Sequence, residues 1–247
     1  MYMTKDQKFT GTWVALKAGI GWWGLVGYWD MESLTNDGKL KDFSWYGNVG
    51  SFSWMNYEDS VTWSINGKWL NFSWWMIIVN HSDSLNFGLN TTISVMFKPN
   101  NLDSDVSYII NKYWPYWTSE WKGFHLLTTN QDNGLGIKKW FVIGGRYGTP
   151  LPWKYINTDT YETSVLEYYN LVWKIENGTM SLYINGKKVI SNSFNPWNGI
   201  GNELQNLWIW GKSDSVIRRF NWLIDEVRIY NRALSDSEIS ALYNATK

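Results

Sequence analysis

The sequence predicts an all-β protein, built as a two-sheet antiparallel β-sandwich and closed by one short C-terminal α-helix. Three observations point there. Asn-Gly pairs, the strongest short hairpin signal, stand at Asn66-Gly67, Asn177-Gly178 and Asn185-Gly186. Apolar runs of strand length recur at roughly 10- to 15-residue spacing with turn residues between them, as in a sandwich or jelly roll. No long amphipathic helical period occurs until the last part of the chain.

The strand candidates begin with Gly27 to Met31. Met76 to Val79, Thr91 to Lys98, Val106 to Asn111, Gly123 to Thr128 and Leu135 to Ile143 follow. Tyr168 to Ser191 is the clearest stretch. Leu171, Trp173 and Ile175 alternate with Val172 and Lys174 up to Asn177-Gly178. Met180, Leu182 and Ile184 then alternate with Ser181 and Tyr183 up to Asn185-Gly186, and Lys187 to Ile190 closes the set. That is a three-strand antiparallel meander with one face buried. Leu207 to Trp210 and Leu223 to Tyr230 complete the series. The helix follows from a capping box, Ser235-Asp236-Ser237-Glu238, with Leu234 and Ile239 at the staple positions. Ile239, Leu242 and Tyr243 then form one apolar face, so a helix is expected from Asp236 to about Asn244.

Charge and composition narrow the function classes. Among 247 residues, 22 Lys and Arg balance 22 Asp and Glu, a net charge of zero. Nucleic acid and anionic membrane surfaces both favour a basic excess, so neither is expected as a partner. Aromatics at 18% and charged residues at 18% mark a folded chain with ample core material. Cysteine is absent, which excludes disulfides, thiolate metal sites and cysteine nucleophiles. Met1 to Thr12 is polar and lacks the layout of a signal peptide, and Gly19 to Trp29 is too short and glycine-rich to cross a bilayer. One domain is expected over residues 25–247, with residues 1–24 as an N-terminal arm or linker.

The run Leu223-Ile224-Asp225-Glu226-Val227-Arg228-Ile229-Tyr230-Asn231-Arg232-Ala233-Leu234-Ser235-Asp236 resembles the C-terminal signature of the laminin-G-like, or concanavalin A-like, jelly-roll superfamily. Leu25 to Asp30 resembles its first strand. Lys41 to Ser44 with Tyr46-Gly47-Asn48 and Gly50 resembles its D-x-S-G-N turn. Gly67 to Ser73, His81 to Leu85 and Thr92 to Val95 resemble further strands and a turn of the same family. The resemblance covers about residues 25 to 244 and implies two sheets packed face to face roughly 10 Å apart. It has one consistent departure. The family has glycine where this chain has Trp45, Trp74, Trp210 and Trp222, and a small residue at Trp69. Tryptophan at a glycine turn is expected to be strained or to push the loop outward. Glycine codons read as tryptophan would account both for these positions and for the total of 20 tryptophans. Aromatic enrichment of a binding surface would do so too.

Catalytic chemistry finds little footing. Glycosidases of this general fold place carboxylates at alternate strand positions, about 5 to 5.5 Å apart across one cleft. No such alternation occurs. Asp225 and Glu226 are adjacent and face opposite sides of a strand, while Glu226 and Arg228 share a face and are expected to form a structural ion pair. The two histidines, His81 and His125, have no zinc-ligand spacing, and no G-x-S-x-G elbow is present. Gly144-Gly145-Arg146-Tyr147-Gly148 is expected to be a turn, since it lacks the strand-loop-helix context of a phosphate loop. The chain is therefore expected not to be an enzyme.

The resemblance implies one structural calcium, Ca2+, at the positions matching the family's ligands: Asp30, Asp42, Asn48 and Asp225. The same residues have a simpler use, as Asp42 and Asn48 suit turn hydrogen bonds and Asp225 can cap a backbone amide. Rigid aromatic loops at Trp114, Tyr116, Trp117 and Trp121, and at Trp153 after Pro152, have the composition of a recognition surface. Packing of those rings onto the sandwich edge is the competing use. The resemblance implies a non-catalytic, extracellular or cell-surface recognition or adhesion module that binds a glycan or a surface protein. Its alternatives are a structural subunit of a pilus, sheath or virion surface, and, disfavoured by the missing carboxylates, a glycoside hydrolase of the same fold.

Overall fold

The computed structural model describes residues 22–53, 57–58, 61–64, 67–72, 76–99, 106–113, 123–132, 137–146, 154–157, 167–193, 205–209 and 222–246. In chain order the strands are β1 (Leu25–Trp29), β2 (Gly50–Ser53), β3 (Val61–Ser64), β4 (Gly67–Phe72), β5 (Met76–Val79), β6 (Asn90–Pro99), β7 (Val106–Tyr113) and β8 (Gly123–Asp132). There follow β9 (Ile137–Arg146), β10 (Lys154–Asn157), β11 (Tyr169–Glu176), β12 (Thr179–Ile184), β13 (Lys187–Ser193), β14 (Leu207–Ile209) and β15 (Trp222–Tyr230). A 3-10 turn spans Asp83–Leu85, and helix α1 spans Asp236–Thr246. The expected all-β class and closing helix are both present. Among the described residues, the strands β2, β3 and β10 are additional to those read from the sequence. They are short edge or next-to-edge strands, with too few residues for a period to show.

The strands form two antiparallel sheets. One has eight strands in the order β13-β12-β11-β6-β15-β4-β3, with β1 also paired to β15; the other has seven in the order β10-β9-β8-β7-β14-β5-β2. Strand β15 is the organiser of the first sheet. Its start pairs with β4 at Trp222 to Ile224, and its end pairs with β1 at Val227 to Tyr230. Between them the register with β6 shifts, and Glu226 takes φ 55°. A bulge of this kind bends the strand and lets one strand serve two neighbours along the same edge.

The core lies between the sheets. In the seven-stranded sheet the inward row runs Phe52, Ile77, Ile209, Ile110 and Leu126 by register. Ile77, Ile209 and Ile110 are fully buried against Phe72, Val95, Trp173, Ile224 and Ile229 of the other sheet. Each such side chain contributes about 1.5–3 kcal/mol of burial free energy. Trp222 lies in this core, stacked on Phe97 at 4.9 Å between ring centroids. Trp45 is 84% exposed, and neither Trp45 nor Trp222 has positive φ. The strain expected of tryptophan at a glycine turn is thus not present at these two positions; Trp74 and Trp210 lie outside the described residues.

The meander forms as read. Both hairpins have two-residue loops, and Asn177 (φ 46°), Gly178 (φ 81°), Asn185 (φ 51°) and Gly186 (φ 75°) all take the left-handed conformation that such turns require. The third Asn-Gly pair includes Asn66, which lies outside the described residues. A Cβ at Gly186 would stand 3.1 Å from Tyr243 Cβ and 3.2 Å from Ser240 Cα. Helix α1 therefore rests directly on this turn. Its capping box is complete: Glu238 N donates to Ser235 Oγ at 3.2 Å and Ser235 N donates to Glu238 Oε2 at 2.7 Å. Leu234, Ile239 and Leu242 bury against Leu25, Val172, Tyr183 and Tyr230 on the outer face of the eight-stranded sheet. Asp236 ties this end down, accepting from the Tyr183 hydroxyl at 2.6 Å and from Lys174 Nζ at 3.3 Å, with Lys188 Nζ at 2.9 Å.

Candidate functional site

The four expected calcium ligands are all buried, and they serve two turns. Asp42 follows β1 in the chain. Its Oδ1 accepts the backbone amides of Tyr28 (2.9 Å) and Ser44 (2.8 Å). Its Oδ2 accepts the amide of Asn48 (2.7 Å) and the Ser44 hydroxyl (2.6 Å). Asn48 Nδ2 donates to the Val26 carbonyl (2.8 Å) and to Ser84 Oγ (2.9 Å), while the Asn48 carbonyl accepts from Trp29 Nε1 (2.8 Å). The pair clasps β1, its following loop and the 3-10 turn together.

Asp30 and Asp225 sit at the junction of β1 and β15. Asp30 accepts the amides of Glu32 (3.0 Å) and Ser33 (2.9 Å) and the Ser33 hydroxyl (2.7 Å). Asp225 Oδ1 accepts the amide of Glu226 (2.8 Å). Burial, then the charges of Glu32 and Asp30, push the Asp225 carboxyl well above the usual range, with Arg228 opposing. Calcium takes six to eight oxygens, from carboxylates, carbonyls and waters. Here the oxygens of Asp30 and Asp42 accept from amides and hydroxyls of their own turns. Among the described residues no group of three or more His, Asp or Glu is placed to hold a metal ion. In this arrangement the four residues serve hydrogen bonds of the two turns, and no step is assigned to a calcium ion.

The expected ion pair is present. Arg228 is fully buried, its Nη2 is bound to the Glu226 carboxylate, and its guanidinium lies 4.5 Å from the Tyr28 ring centroid. The Tyr28 hydroxyl donates to the same carboxylate at 3.3 Å, and burial raises its titration far above the ordinary range. Glu226 is thereby held by two structural partners on the bulge.

The outer face of the seven-stranded sheet carries buried polar residues the sequence reading did not single out. Register places Ser51, Ile78, Trp208, Asn111, His125, Gly144 and Tyr155 in one cross-strand row. Ser51, Ile78, Trp208 and Asn111 alternate with the apolar inward row, so they face away from it. Asn111 is nevertheless fully buried and Trp208 is 6% exposed. Lys112, the next residue, goes the other way: its Nζ donates to the Leu85 carbonyl at 2.9 Å, and burial lowers its titration to about 8. The available signal was the polar pair Asn111-Lys112 continuing the apolar run Tyr108-Ile109-Ile110. Trp208 had no such signal, because a tryptophan in a short strand reads as core. The expected aromatic loop residues Trp114, Tyr116, Trp117, Trp121 and Trp153 lie outside the described residues, as does the expected turn from Tyr147 to Gly148. Gly144 to Arg146 belong to β9 rather than to a turn, because each is paired in the sheet with β8.

Comparison with known proteins agrees with this architecture. The Laminin_G_3 family model, described as the concanavalin A-like lectin/glucanases superfamily, matches residues 76–240. No curated protein matches the sequence. Among solved structures, the binding domain of Paraclostridial Mosquitocidal Protein 1 is similar at 20% identity and TM-score 0.65, over 90% of this chain and 52% of that one. Domain 4 of AbnA, a GH43 extracellular arabinanase from Geobacillus stearothermophilus solved in complex with arabinotriose, is similar at 19% identity and TM-score 0.60. That match covers 89% of this chain and 98% of the domain. A botulinum neurotoxin type C structure, described as concerning cell entry dependent on two ganglioside molecules, is similar at 16% identity and TM-score 0.64, over 94% and 53% of the two chains. The chain thus spans about half the length of the toxin chains it matches, and at these identities the likeness is one of fold. With two antiparallel sheets packed on one core, and a family model matched across about two thirds of its length, the chain belongs to the concanavalin A-like lectin/glucanases superfamily.

Proposed function

We propose that the chain is a non-catalytic recognition domain that binds carbohydrate. The observation that carries this reading is the match to nearly the whole of domain 4 of the arabinanase AbnA, whose structure was solved with arabinotriose. The toxin structures of the same fold add support, since one is named as a binding domain and another concerns ganglioside interaction. The carboxylates at the bulge support a binding role over a hydrolytic one, because Asp225 and Glu226 are engaged in holding the strand. No helix among the described residues is long and apolar enough to cross a membrane. The domain is read as part of a surface or secreted protein, with its sugar ligand presented by a polysaccharide or a cell surface.

The test is a glycan-array screen of the 247-residue chain, run in calcium and again in EDTA. Saturable binding of one glycan class in both buffers is expected. Binding lost in EDTA would give the Asp30, Asp42, Asn48 and Asp225 group a metal role that its hydrogen bonds do not suggest. No binding in either buffer would overturn the carbohydrate reading and favour a protein partner.

A further inference from the structure

Lys112 occupies a place that packing alone does not favour. It is buried, and its Nζ reaches from β7 to the segment that follows the 3-10 turn. There it donates to the Leu85 carbonyl at 2.9 Å and stands 3.5 Å from Oδ1 of the Asn86 side chain, with the Phe87 ring centroid at 5.7 Å. Leu85 and Phe87 are themselves buried, so the amine is held against apolar walls. Desolvating an ammonium is costly, and a methionine would fill the same space without that cost. Burial brings the amine down to about 8, with the charge of Asp83 opposing. A lysine desolvated in this way is a nucleophile, because its neutral form is within reach.

The Asn86 amide is held from its other end. Its Nδ2 donates to Asp83 Oδ1 at 3.3 Å, and its backbone amide donates to the Asp83 carbonyl at 3.1 Å. His81 Nε2 lies 3.6 Å from the same Asp83 oxygen. The amine thus stands on the carbonyl side of a carboxamide, and a carboxylate stands on its nitrogen side. That order is what transfer of an acyl group to an amine requires.

We propose that Lys112 and Asn86 join as an intramolecular isopeptide bond that ties β7 to the 3-10 turn. The Nζ lone pair forms the new bond to Cγ of Asn86, the Cγ–Nδ2 bond breaks, and Nδ2 leaves as ammonia. The proton lost by Nζ is delivered to Nδ2 by the Asp83 carboxylate bound there. Nothing is oxidised or reduced, and no co-reactant is consumed. The turn also carries Ser84, which accepts from Asn48 Nδ2 in the clasp around β1. The bond therefore fastens the seven-stranded sheet to the loop that holds β1 of the other sheet, in a chain that has no cysteine for a disulfide. Titration of Lys112 belongs to the freshly made, open chain; the closed amide carries no charge. This inference is independent of the carbohydrate reading.

The experiment is intact-mass measurement and peptide mapping of the 247-residue chain, fresh and after standing at about pH 9, where the amine is largely neutral. The folded wild type is expected to become lighter by one ammonia, with the peptides of Asn86 and Lys112 recovered as one branched species. Neither Asn86→Ala nor Lys112→Met should form that species, and neither should the wild type held in urea, where the geometry is lost. Asp83→Ala should form it at least about tenfold more slowly. Closing a loop of about 26 residues should raise the melting temperature by about 7–14 °C over the open chain. An unchanged mass after standing overturns the bond. So does an ammonia loss that maps to Asn66, Asn177 or Asn185, which can cyclise on their following glycines, with the peptides of Asn86 and Lys112 found separate. Joining at the wild-type rate in Asp83→Ala overturns the part given to Asp83. The wild-type map decides the bond itself whether or not a variant folds.

Discussion

Replacing Asp42 by alanine tests whether this buried carboxylate is a clasp or a metal ligand. The substitution removes the acceptor for three backbone amides, those of Tyr28, Ser44 and Asn48, and for the Ser44 hydroxyl. The Tyr28 and Asn48 amides are buried, so water does not simply replace the carboxylate there. Each buried donor left unpaired costs about 1–3 kcal/mol, and the Ser44 groups, nearer to solvent, cost less. The expected loss is about 3–6 kcal/mol, a large share of a typical stability of about 5–15 kcal/mol. For a chain of this length that lowers the melting temperature by roughly 6–24 °C. Asp42→Asn keeps Oδ1 for Tyr28 and Ser44 but opposes a donor to the Asn48 amide, so its loss should fall between wild type and alanine. The assay is thermal and urea unfolding, each in calcium and in EDTA. A clasp predicts the same loss in both buffers. A loss under about 2 °C, or one seen only with calcium present, would refute the hydrogen-bond account.

Two further outcomes concern pH. The Tyr183 hydroxyl, then Lys188 and Lys174, hold Asp236 down at about 2. Its contribution is therefore complete above the ordinary carboxylate value of about 4 and is lost as pH falls through about 2. The melting-temperature gap between wild type and Asp236→Asn should be flat from about pH 5 to 8 and should close on acidification, while a gap that widens would contradict the assignment. The carboxylate is more than half exposed, so screening limits the effect to about 1 kcal/mol or less. Lys112 behaves oppositely. Burial lowers it to about 8, so the unfolded chain binds the extra proton between there and the ordinary value of about 10.4. Stability from this group rises with pH across that window. Wild type should gain on Lys112→Met between about pH 8 and 10, and parallel melting curves would show that Lys112 is not desolvated.

How far the chain could be read in advance depended on the distance over which each feature is determined. The two Asn-Gly turns at 177–178 and 185–186 and the Ser235–Glu238 capping box have the geometry read for them. Each is settled within four residues by backbone preference and a side chain reaching its own neighbours. Strands β6, β11 and β15 were legible because their apolar runs are long. Strands β2, β3 and β10 were not, since four residues carry no period of their own and their pairing comes from distant partners. The Glu226–Arg228 pair was legible from its spacing, but the bulge that carries it was not. That bulge exists because β15 must pair with both β4 and β1.

By itself, then, the sequence determined the all-β class, the meander, the capped helix and the family, because periodicity, turn chemistry and a long ordered signature are written along the chain. Only the tertiary structure decided the roles of particular polar residues. Asp30, Asp42, Asn48 and Asp225 look like a ligand set along the sequence, and folding turns their oxygens to the backbone amides and hydroxyls of two turns. Asn111 and Trp208 look like ordinary strand residues, and register across β7 and β14 sets them side by side on the outer face. The physical reason is the same in both cases. A buried polar group is defined by which partners reach it, and those partners arrive from strands scores of residues away.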